Sequence, residues 1–78
     1  HEGEHLFAVE RLVVSSASGV FTPLTSFQPG DRIAIGQTLG MIGETPVVSV
    51  FEGILQSFIA VDGERVTLRQ PIAWLRTI

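Results

Sequence analysis

The sequence predicts an all-β, two-sheet domain assembled from two related halves. Three observations carry this: closely spaced glycine and proline, apolar residues alternating with polar ones, and an internal repeat. With 78 residues, the chain suits one small domain. It has no cysteine, so neither a disulfide nor a thiolate metal site can supplement its core.

Glycine or proline recurs from Gly19 to Gly53 without leaving a gap long enough for an ordinary helix of about 10–12 residues. The stretches between favour β-branched and aromatic residues. Arg32-Ile33-Ala34-Ile35 and Arg65-Val66-Thr67-Leu68 place apolar residues two apart, on one face of a strand. In chain order, strands are expected near 6–14, 19–23, 31–35, 38–42, 47–51, 53–61, 64–68 and 72–77. Phe51-Glu52-Gly53 and Asp62-Gly63-Glu64 read as tight corners. Over 53–61 a short helix is the rival reading, because Ile54, Phe58 and Val61 also fall near one helical face.

The repeat is the strongest signal. Gly30-Asp31-Arg32-Ile33-Ala34-Ile35-Gly36-Gln37-Thr38-Leu39-Gly40-Met41-Ile42 aligns without a gap on Gly63-Glu64-Arg65-Val66-Thr67-Leu68-Arg69-Gln70-Pro71-Ile72-Ala73-Trp74-Leu75. Upstream, Val13-Val14-Ser15 echoes Val47-Val48-Ser49, and Gly19-Val20 echoes Gly53-Ile54, at an offset one residue longer. Halves of ~33 residues cannot each bury a hydrophobic face alone. Paired about a pseudo-two-fold axis, they are expected to form a closed sandwich with few open edges.

The repeated GDxVxxGQxLxxI pattern resembles that of the biotinyl/lipoyl carrier domains. Its residues are Gly30, Asp31, Ile33, Gly36, Gln37, Leu39 and Ile42, then Gly63, Glu64, Val66, Gln70, Ile72 and Leu75. Ser15 followed by Gly19-Val20-Phe21 resembles the SPxxGxF segment of the biotin carboxyl carriers. The resemblance implies a barrel-sandwich hybrid of two pseudo-two-fold-related four-stranded halves. It assigns residues 12–78 to the carrier-like domain and 1–11 to a tail and leading strand.

Carriers of that family attach their prosthetic group to a lysine at the tip of the hairpin joining the halves. All five basic residues here are arginines (Arg11, Arg32, Arg65, Arg69, Arg76), so the chain has no ε-amine for a Schiff base or an amide-linked group. An arginine cannot substitute, because its guanidinium stays protonated. The joining turn falls on Gly43, Glu44, Thr45 and Pro46, and is shorter than the resemblance leads one to expect. No cofactor is therefore expected, and the carrier activity does not carry over.

Other candidate chemistry reads more simply as structure. His1 and His5 have helical metal-ligand spacing, but no third ligand follows, so no metal site is expected. Ser15, Ser16 and Ser18 lack an anchored histidine base and suit a turn. Asp31, Asp62 and Glu64 lie beside turn glycines, where carboxylates cap backbone N–H groups. The glycines never open a helix, as a phosphate cradle requires. Phe27, in the polar loop Thr25-Ser26-Phe27-Gln28-Pro29, is the preferred exposed contact with a partner, and Trp74, aligned with Met41, is the second. No catalytic residue and no enzymatic activity are expected.

A net charge of −3 gives no electrostatic reason to expect nucleic acid or an anionic membrane. No apolar run approaches the roughly 20 residues of a spanning helix, so direct membrane insertion is not expected. The missing initiator methionine suggests a chain processed or cut from something longer. The expectation is a cytoplasmic, non-biotinylated carrier-like interaction or assembly module. Its partner would be a protein, with subunits of a biotin-dependent acyl-CoA carboxylase foremost. The alternatives are a lipoyl-like module of a membrane-fusion or efflux adaptor, or a regulatory domain of a larger enzyme.

Overall fold

The computed structural model describes residues 9–77, and every one of its regular elements is a strand. These are β1 (Val9–Val14), β2 (Gly19–Pro23), β3 (Arg32–Ile33), β4 (Thr38–Ile42), β5 (Thr45–Val48), β6 (Gly53–Phe58), β7 (Arg65–Val66) and β8 (Pro71–Thr77). They form two four-stranded antiparallel sheets, ordered β1-β8-β6-β3 and β5-β4-β2-β7. The fold is thus all-β and sandwich-like. The eight expected strands are present in order, and the segment with a helical alternative contains strand β6. β1 straddles the boundary drawn between residues 11 and 12.

Exchanging β1 with β5, β2 with β6, β3 with β7 and β4 with β8 turns one sheet order into the other, which is the expected pseudo-two-fold relation. The hydrogen bonds repeat with it. Gly30 N–H donates to Leu55 O, and Gly63 N–H to Phe21 O, both at 2.8 Å. Gln37 Oε1 accepts from Ala34 N–H at 2.9 Å, and Gln70 Oε1 from Thr67 N–H at 3.0 Å. Asp31 Oδ2 accepts from Gln28 N–H, and Glu64 Oε1 from Val61 N–H, each at 3.0 Å. The repeated Gly-acid-Arg-apolar-x-apolar-x-Gln pattern therefore encodes two turns capped by side chains, one on each side of a short strand. Those turns explain why β3 and β7 span two residues each instead of the expected five.

The halves interlock. β1 and β3 come from the first half but sit in the sheet whose centre is β8 and β6. Between the sheets lie Phe21, Ile33, Leu39, Leu55, Ile72 and Leu75, all fully buried. Phe21 and Phe58 approach with ring centroids 6.2 Å apart, inclined at 42°.

The expected closure is not realised. β1 and β3 bound one sheet, and β5 and β7 bound the other. Two-residue strands are too short to complete a ladder, and Pro46 removes a donor from β5.

Candidate functional site

The connection between the halves is tighter than the four-residue turn expected over Gly43–Pro46. Ile42 pairs with Thr45 and Met41 with Pro46, so only Gly43 and Glu44 lie outside the ladder. Gly43 takes φ 58°, a left-handed value that suits the first position of a two-residue hairpin. Thr45 and Pro46 thus belong to β5. Pro46 fits there because Met41–Pro46, one pair beyond the pair that closes the two-residue turn, is a non-hydrogen-bonded pair whose backbone N and O point away from the neighbouring strand. In keeping with this, Pro46 O lies 3.5 Å from Ser16 Oγ, across the gap between β5 and the end of β1. The exposed tip presents a glycine and a carboxylate, neither of which can form an amide bond to a carboxylic prosthetic group.

Trp74 lies on the outer face of the first sheet. Leu12 of β1 stands opposite it on one side and Ser57 of β6 on the other. The indole Nε1–H donates to Ser57 Oγ at 2.7 Å, so its polar edge is satisfied within the domain while part of the ring remains accessible. Beside it is a shallow concavity of ≈ 480 Å³ lined by Glu10, Arg11, Leu12, Ile59 and Trp74. One row further along, Arg76 Nη2 reaches Glu10 Oε2 at 3.1 Å and closes the polar end of the patch. The Arg11 guanidinium stacks 5.3 Å from the Phe51 ring centroid.

This patch extends the sequence expectation. The sequence points to Trp74 but not to Leu12 and Ile59, both about half exposed. The signal for Leu12 was present in β1, where Glu10, Leu12 and Val14 share one face by alternation. Ile59 carried no comparable signal, since it follows β6 at a bend. Phe27 behaves differently from the expected exposed contact: it is half-buried and packs against the core cluster. Its loop turns inward, with Phe27 N–H donating to Leu24 O at 3.4 Å.

Ser15 is buried and fully engaged. Its Oγ donates to Thr67 O and accepts from Gln70 N–H at 3.1 Å. It therefore joins β1 to the turn before β8. Asp31 and Glu64 cap turns as expected, and Asp62 is exposed beside Gly63. Among the described residues no three His, Asp or Glu side chains gather as metal ligands, and no helix is long and apolar enough to cross a membrane. His1 and His5 lie outside the described residues.

The described residues thus present a partly exposed apolar and aromatic face around Trp74 and a blunt two-residue turn. The chain matches no protein-family model and no curated protein by sequence.

Proposed function

We propose that this domain is a non-biotinylated, biotin-carrier-like interaction module that takes a carrier's docking place in a protein assembly without carrying a group. The observation that carries the reading is the union of two features. An internally duplicated all-β sandwich carries a GDxVxxGQxLxxI-like pattern in its first half and a degenerate copy in its second, where Glu64 replaces the aspartate and Arg69 the glycine, and the hairpin joining them has two residues and no amine. A carrier needs a protruding turn with a nucleophilic lysine. This chain has an internally duplicated two-sheet framework and lacks both. The Trp74–Leu12–Ile59 face supplies an aromatic anchor with an apolar surround, the composition that contributes most to protein–protein affinity.

The proposed partners are subunits of a biotin-dependent acyl-CoA carboxylase in the cytoplasm, with the module organising or attenuating the complex. The test is affinity recovery of the tagged chain from its native host. Carboxylase subunits should be recovered with it, and recovery of unrelated proteins alone would reject the reading. In parallel, intact mass after co-expression with a biotin ligase should equal the mass of the unmodified chain. A gain of one biotinyl group would overturn it.

A further inference from the structure

We propose that the Gly43–Glu44 turn is an exchange hinge, through which two copies of this chain trade halves to form an interlocked dimer. Four ladders join the halves: β1 with β8, β3 with β6, β2 with β7, and β4 with β5. Among the described residues, the only ladder within a half is β2 with β4, or β6 with β8. Among the described residues β1 and β3 therefore have no strand partner in their own half, and neither half builds more than a two-stranded ladder by itself. Core residues are divided in the same way. Phe21, Ile33, Leu39 and Ile42 come from the first half, and Val47, Leu55, Val66, Ile72 and Leu75 from the second.

One covalent link, the exposed turn between Ile42 and Thr45, decides whether these contacts form within a chain or between chains. With Gly43 and Glu44 extended, the first half of one copy meets the second half of another, and the same four ladders and the same core are remade in trans. The two forms then differ in the hinge and in the entropy of bringing two chains together, so their ratio depends on concentration. A two-residue connection held at φ 58° is the kind of short hinge that favours exchange when its conformation is disfavoured.

The test places cysteines at Glu10 and Arg76, which face each other across the β1–β8 ladder, in the full cysteine-free chain. The protein is unfolded, refolded at low and high concentration, oxidised with diamide, and resolved on a denaturing gel without reductant. Exchange links Glu10→Cys of one chain to Arg76→Cys of the other, so a covalent dimer should increase with refolding concentration. Adding Gly43→Val should raise its share several-fold. Adding Gly36→Val, which imposes a similar backbone penalty at φ 86° inside one half, should not. Intrachain linkage at every concentration and in both variants would overturn the proposal. So would a dimer that forms only by non-covalent association of internally linked chains. If Gly43→Val fails to fold by circular dichroism, the concentration series with the native hinge still decides.

Discussion

Arg69 occupies in the second half the left-handed position that Gly36 holds in the first, with φ 67° against 86°. Each sits in the turn whose backbone is capped by the following glutamine, Gln70 or Gln37. The geometry thus outlasts the residue that suits it best. An L-residue with a Cβ costs roughly 1–2 kcal/mol in this region, partly offset because glycine loses more freedom on folding. Arg69→Gly is expected to stabilise the domain by about 0.5–1 kcal/mol, and Gly36→Arg to destabilise it by a similar amount. Thermal unfolding of the two variants checks both signs, with shifts of about 3–6 °C expected.

Gly40 aligns with Ala73, yet the two positions are not interchangeable. A Cβ on Gly40 would lie 2.7 Å from both Phe21 Cε1 and Thr22 O. In the second half Leu55 occupies the place of Phe21, and a bulge between Leu55 and Ser57 shifts the strand that faces Ala73. Gly40→Ala should therefore destabilise by about 1–3 kcal/mol. The double variant Gly40→Ala/Phe21→Leu should fall short of the sum of the two single losses, since it relieves the ring contact but not that to the backbone. Denaturant titration of the four proteins in this cycle measures the coupling; strict additivity would contradict the assigned contact.

Ser15→Ala removes the hydroxyl that serves both Thr67 O and Gln70 N–H in a buried site. The expected loss is about 1–3 kcal/mol, the cost of leaving those backbone groups without that partner. Ser18→Ala, at an exposed position, is the control and should change stability by less than about 0.5 kcal/mol.

The outer-face patch yields a prediction that separates binding from folding. Leu12 is 49% exposed, so Leu12→Ser should leave the unfolding midpoint nearly unchanged while reducing recovery of the partner several-fold. Equal recovery by the variant and the native chain would move the contact surface elsewhere.

The ion pairs Arg32–Glu52 at 3.2 Å and Arg76–Glu10 at 3.1 Å lie on exposed side chains. Glu52→Gln is expected to cost less than about 1 kcal/mol, with the difference shrinking further in 1 M salt.

Much of this organisation was legible in the chain itself. The aligned Gly30–Ile42 and Gly63–Leu75 segments located β4 and β8 closely, because turn glycines and capping side chains act over three or four residues. Short-range patterns located the joining turn for the same reason but made it two residues too long. A proline usually marks a turn, and what brings Pro46 into a strand is the outward direction of its missing donor, which depends on the pairing register. The half-burial of Phe27 was not legible either, because a polar neighbourhood says nothing about whether a loop folds inward.

Composition and repeat settle that the chain is all-β, internally duplicated and without a lysine, since these follow from residue identity and local backbone preference. Tertiary structure alone decided that the halves interlock across both sheets, that the sandwich keeps open edges, and that Leu12, Ile59 and Trp74 meet on one face. Those facts rest on contacts between residues far apart in the chain, whose formation depends on register and packing. No local pattern of 78 residues records them, because a shift of one residue would turn each strand's apolar side chains to the opposite face.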